Sequence, residues 1–417
     1  MAEHLHINHA VRASSLLVLT VALLVAGGCA GKPATTTESK LSFWPTAPDQ
    51  PRVQFLTSFA RSSDVTEKRS AFDTAIYGKE AELPIVNPYS VAMHKGRIYV
   101  CDTENRGVVV LDLKARLVKV MGRAGGAELL QAVDIAIAPD GTKYVADKPK
   151  ARIVVFDAND RYVQAFSPPE LDPISVAVSG DELFVSDFSA RQVKVLNRSS
   201  GELIRTIGTQ GREDGQFFRP LSVRVDKDGH VLVSDVFKCR IQRFTREGEF
   251  IDAVGRIGNR PGDFARPKHM AIDSNGLTYV VDASFNNVQI FDEKLKVLMF
   301  FGSPGPHPGG MRLPAGICIS EDPEDIELFR RYIHPAFDAQ RLVLVTNQST
   351  QSKVAVYAQG ELKPGRTLAD LGTNAVTKEA GIAPPGARDN LRGPDSPDAE
   401  PTAEPATPAG PATQPGR

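Results

Sequence analysis

One phrase of this chain is written six times. "YVCDTENRGVVVLD" ends a run of strand formers on Asp102, turns, and begins a second run. The same phrase sets Asp147, Asp187, Asp235 and Asp282 in "YVADKPKARIVVFD", "FVSDFSARQVKVLN", "LVSDVFKCRIQRFT" and "YVVDASFNNVQIFD". A sixth copy, "LVTNQSTQSKVAVY", carries Asn347 at that place. Self-similarity at a period of about 40 to 50 residues marks a propeller or solenoid, because each unit buries its core only by stacking on neighbours. Repetition also speaks against a catalytic Asp. An Asx side chain that accepts hydrogen bonds from the N–H groups of its own turn accounts for all the copies at once.

Each repeat reads as four strands. In the fourth, "PLSVRVD", "HVLVSD", "CRIQRFT" and "FIDAVG" alternate apolar and polar residues and are split by turns rich in Gly, Asp and Glu. The linkers "GTQGREDGQFFRP", "GRIGNRPGDFARP" and "GSPGPHPGGMRLP" carry spaced glycines and end on the Pro that opens the next inner strand. The sixth repeat has no fourth strand of its own. "VQFLTSFA", residues 53 to 60, has the pattern of the missing strand, so it is expected to complete the last blade. Closure matters because an open ring would leave strand edges free to pair with other chains. The expected fold is all-β, a six-bladed β-propeller over 51–361.

The linker glycines and the V-x-D…I-x-x-F-D phrase together resemble the NHL repeat of six-bladed β-propellers, over residues 51 to 358. Two insertions interrupt the array. Residues 61 to 85 contain "SAFDTAIYG", a short helical pattern. Residues 321 to 340 carry Ile326, Leu328, Phe329 and Ile333 at helical spacing before Pro335, and are expected to pack over one face of the ring.

The ends of the chain have a different character. "SSLLVLTVALLVAGGC" is an apolar run too short to span a bilayer comfortably, and it fits the core of a secretory signal over 1–28. "VAGGC" resembles the lipobox of bacterial lipoproteins, with Cys29 as the lipidated residue and Ala26 where that motif most often has Leu. The resemblance implies acyl chains on Cys29 and attachment to a membrane, and Ala30 in place of Asp leans towards the outer membrane of the bacterial cell envelope. Several acyl chains anchor stably, at about 0.8 kcal/mol per buried methylene. Residues 29–50 read as a tether. Residues 362–417, rich in Pro, Ala, Gly and charge, read as a disordered tail.

Composition narrows the function. The net charge is −1, with no basic excess to meet nucleic acid. Cys101, Cys239 and Cys318 are far apart, with no CxxC, and read as buried strand residues. Propellers bind at the mouth of their central channel, where the inner strands begin. Two residues after the opening Pro or its equivalent stand Ser90, Asp134, Ser175, Ser222, His269 and Gly316; one residue earlier stand Tyr89, Val133, Ile174, Leu221, Lys268 and Ala315. Asp134 and His269 fall on opposite blades and could meet a small polar ligand.

The peptide-amidating lyase is a similar propeller that holds zinc with several histidines, but this ring offers only His269, beside Lys268. The lactonase-type propellers hold a divalent ion with Glu, Asn and Asp, and here only Asp134 matches. "DKDGH", with Asp226 and Asp228, lacks the full calcium-loop pattern and sits at a hairpin turn. No metal, cofactor or catalytic residue is therefore expected. The reading is a membrane-anchored envelope lipoprotein whose propeller is a scaffold for another envelope protein. A metal-dependent hydrolase or lactonase, or a small-ligand sensor using the channel mouth, is the alternative.

Overall fold

The computed structural model describes residues 42–67 and 81–372. Cys29, the leader, the "SAFDTAIYG" segment and most of the tail lie outside the described residues. The repeats build six antiparallel blades around an axis. Blade 1 runs outward from the axis as Pro88–His94, Arg97–Asp102, Gly107–Asp112 and Leu117–Met121. Blades 2 to 5 repeat it from the inner strands Ala132–Ile137, Pro173–Ser179, Pro220–Val225 and Pro267–Ile272. Blade 6 takes Pro314–Ser320, Phe337–Asn347 and Val354–Leu362 from one end of the chain and Val53–Phe59 from the other. Phe59 pairs with Val354 and Phe55 with Tyr357, so the N-terminal strand closes the ring as the sequence predicts. No helix among the described residues is long and apolar enough to cross a membrane.

Each sheet is apolar on both faces because it is sandwiched between two others. Strand alternation sends neighbouring residues to opposite blades. In blade 5, Met270, Val280 and Phe291 face blade 4, while Tyr279, Val281 and Ile290 face blade 6. Six hydrophobic clusters result, one in each space between blades. The outer strands keep one wet face, and Leu117–Met121 alternates between exposed and covered residues.

The repeated Asp is a latch with two arms. Asp282 Oδ1 accepts from Ser284 N and Phe285 N of its own turn at 2.9 and 3.0 Å. Its Oδ2 accepts from Ala265 N at 2.8 Å and from Arg266 N at 3.1 Å, in the linker before the same blade. Asp102 and Asp235 do the same. The turn arm follows from local sequence; the linker arm, some 16 residues back, does not. In the linkers themselves, Gly255 has φ +97°, and a Cβ there would lie 2.4 Å from the Phe264 ring. Only glycine allows both the turn and the contact.

Three boundaries differ from the sequence reading. The propeller begins before 51, because Phe43–Trp44 adds a fifth strand to blade 6 and Trp44 packs against Phe301 and Tyr357. The propeller continues past 361, because Leu371 is buried in the cluster between blades 6 and 1. The insertion is α-helical only over Pro323–Leu328, where Asp322 caps Glu324 N at 2.9 Å, and continues as a 3-10 turn over Arg330–Tyr332. The next strand already starts at Phe337, which packs edge-on against Phe43. Cys101, Cys239 and Cys318, the cysteines among the described residues, are free. Cys239 is not in a strand; it takes φ 51° in the turn before Arg240–Phe244.

Candidate functional site

The row Ser90, Asp134, Ser175, Ser222, His269 and Gly316 circles the axis and is buried throughout. Every inner strand slips register with its second strand here, for example between Pro173 and Ser175 and between Pro267 and Met270. Such a bulge leaves a backbone N–H outside the ladder. The preceding blade supplies the missing acceptor. Asp134 Oδ2 accepts from Val176 N at 3.0 Å, Ser175 Oγ from Val223 N at 3.2 Å, and Ser222 Oγ from Met270 N at 3.2 Å. His269 Nδ1 continues the series by donating to Ala315 O at 3.1 Å. The row is a polar belt that ties blades 1 to 6 in succession, with no such bond among the described residues from blade 6 back to blade 1.

Asp134 is the centre of the belt. Its Oδ1 accepts from Ser90 Oγ at 2.5 Å and Ile135 N at 3.0 Å. Its Oδ2 accepts from Ser175 Oγ at 2.6 Å and, besides Val176 N, lies 3.3 Å from Arg224 Nη1. Burial alone would raise its pKa; the Arg224 guanidinium and the hydroxyls outweigh that and hold it below the usual value. Both oxygens are saturated, so the carboxylate has no lone pair to offer a metal or a substrate.

Arg224 is the residue the sequence reading missed. Its column in the repeat reads Ala92, Ala136, Ala177, Arg224, Ala271 and Cys318. One arginine among alanines was the available signal. Nη1 also donates to Ser175 Oγ at 3.1 Å and Val223 O at 2.7 Å, which clamps the guanidinium across the axis from blade 4.

The row one residue earlier is not an open mouth. Val133, Ile174 and Leu221 are buried in one cluster, with Tyr89 packed against them. Tyr89 meets the His269 ring edge-on at 5.3 Å, and Lys268 Nζ sits 5.7 Å over the Tyr89 ring. These side chains plug the axis on the linker side, so the belt residues lie beneath a seal instead of at a solvated rim. Burial lowers Lys268 to about 8 and His269 to about 4, and raises Tyr89 to about 12. His269 is therefore neutral near pH 7. Its Nε2 is buried without a partner among the described residues. Gly316 has no side chain to add, because a Cβ would stand 2.6 Å from Ser90 Cα.

The structure thus joins Ser90, Asp134 and Ser175 directly, and leaves Ser222 and His269 on the next two links. Asp226, Asp228 and His230 gather their ligand atoms within 4.8 Å. Asp226 Oδ1 accepts from Asp228 N and His230 N at 2.9 and 2.8 Å, so the group makes the hairpin turn that the sequence predicts.

No family model matches the chain, and no curated protein does. Solved structures share the fold. A Bacteroides thetaiotaomicron protein of unknown function superposes with a TM-score of 0.50 at 14% identity, over 74% of this chain and 75% of that one. Virginiamycin B lyase from Staphylococcus aureus gives 0.46 at 14%, over 68% and 85%. A streptogramin B lyase gives 0.48 at 10%, over 67% and 95%. At these identities the likeness concerns the β-propeller fold alone.

Proposed function

We propose that this chain is a lipid-anchored protein of the bacterial envelope, with an NHL-type propeller that acts as a binding scaffold for another envelope protein. The observation that carries this reading is the saturation of Asp134. The one carboxylate on the axis is spent on Ser90, Ser175, two backbone N–H groups and Arg224. A hydrolase of the lactonase type needs that carboxylate free for a divalent ion. A rigid ring whose axis is filled still presents two broad faces of loops, which suits recognition of a partner. The "VAGGC" sequence ending on Cys29 supports the anchor.

In-cell crosslinking of the native protein, followed by mass spectrometry, tests the scaffold role. One envelope protein captured reproducibly is the expected result. No reproducible partner overturns it. Release from membranes on Cys29→Ser tests the anchor separately.

A further inference from the structure

The loops on the linker side of blades 2 to 4 carry arginines that the fold does not use. Many arginines elsewhere are tied to carboxylates, such as Arg97 to Asp112, Arg198 to Asp140, Arg205 to Glu182, Arg243 to Asp252 and Arg341 to Asp273. Among the described residues, Arg191, Arg212 and Arg219 have no carboxylate within salt-bridge distance; each is instead laid over a phenylalanine. Arg191 and Arg212 cover the Phe218 ring at 5.2 and 5.0 Å, and Arg219 covers Phe188 at 4.7 Å. Phe218 meets Phe237 edge-on, and Phe237 is 67% exposed.

These features form one patch. Phe188 and Arg191 share the loop after Asp187, Phe218 and Arg219 share the linker before blade 4, and Phe237 stands in the loop after Asp235. Lys148 also reaches the Phe188 ring, at 4.9 Å, although it is paired with Asp172. The exposed Glu213 is a local carboxylate left without a cation, so the patch keeps a net positive charge. A guanidinium stacked on an aromatic face keeps its N–H edge free and loses little further freedom when a carboxylate arrives. Such a surface pairs a bidentate site with an exposed aromatic anchor, which is the composition of a binding hot spot.

Building on the scaffold reading, we infer that this patch is the docking face, and that its occupant is an acidic protein segment carrying an aromatic or aliphatic anchor beside its carboxylates. Charge complementarity selects that partner. The carboxylates meet Arg191, Arg212 and Arg219, and the anchor packs on Phe237.

The test titrates the full chain, by fluorescence anisotropy, against a labelled peptide of six Glu and two Trp, its Gln counterpart, an oligothymidine strand, and vesicles of anionic lipid. The expected result is binding of the Glu peptide, weakened by added salt and reduced at least about tenfold for the Gln peptide. Arg191→Glu/Arg212→Glu/Arg219→Glu abolishes it, and Phe237→Ala weakens it with little change in salt dependence. Equal binding by the triple variant overturns the inference, as does preference for the oligonucleotide or the vesicles, or failure of the Glu peptide to bind. The scaffold reading has a separate fate: a crosslinked envelope partner mapping to the opposite face leaves it standing and removes this one.

Discussion

The two faces of the ring divide their charges differently. On the face formed by the hairpin turns, charge is consumed by the fold. Arg341 and Asp273 are both buried and paired, with Tyr279 Oη 3.1 Å from Asp273 Oδ2 and Glu321 beside the guanidinium. Asp160 gathers Lys143, Lys119 and Arg97. Glu182 holds both Arg205 and Arg246. On the linker side, the backbone is secured by the buried Asp latches, and arginines such as Arg212 are left facing water on aromatic supports. One face uses its charges to hold shape; the other spends some in pairs such as Lys194–Asp187 and Arg240–Asp214 and keeps Arg191, Arg212 and Arg219 available.

Stability measurements sharpen that contrast, and the largest effect belongs to the hairpin-turn face. Asp273→Ala leaves Arg341 buried without its partner, and a loss of about 3 to 5 kcal/mol in denaturant unfolding is expected. Next comes the interior between the faces. His269 has a folded pKa of about 4 against an ordinary value of 6.5. Its lowered value means that the unfolded chain binds the extra proton first. Stability from this group is complete above 6.5, falls between 6.5 and 4, and is gone below about 4. The span corresponds to about 3 kcal/mol at ~1.4 kcal/mol per unit. His269→Gln keeps a donor for Ala315 O and flattens that pH profile; an unchanged profile would locate the titration elsewhere. Gly316→Ala forces a Cβ against Ser90 Cα and the Tyr89 carbonyl, and a cost of about 1 to 3 kcal/mol is expected. Smallest is Arg219→Ala, at less than about 1 kcal/mol, since only a half-buried stack on Phe188 is lost. A large loss there would erase the distinction between the faces.

Much of the fold was legible because the repeat reports itself. The blade count, the strand that closes the ring and the axial row followed from aligning six copies of one phrase. What was not legible came from distance. The linker arm of each latch, the plug over the belt, and the guanidinium of Arg224 crossing to Asp134 all join residues far apart in the chain. Trp44 and Leu371 looked like parts of flexible ends because their composition is polar around them, yet each finds an apolar hole in blade 6 or beside it. The site row was identified by position, while its role as inter-blade hydrogen bonding needed the bulges to be seen.

The missing side chain at Gly316 turns the belt into an arc with two free ends. Five junctions are fastened at the axis, out of reach of solvent; the junction between blades 6 and 1 is fastened at its rims. Asp325 takes Gly96 N at 2.6 Å on one rim, and Lys353 Nζ holds Val86 O at 2.7 Å on the other. That junction works like the buckle of a strap, placed where the two ends of the chain meet. Between the rims it is held by apolar packing and by the close approach that Gly316 allows, so Gly316→Ala will speed amide exchange across Tyr89–Ala92 more than across the matching stretch Ile174–Ala177.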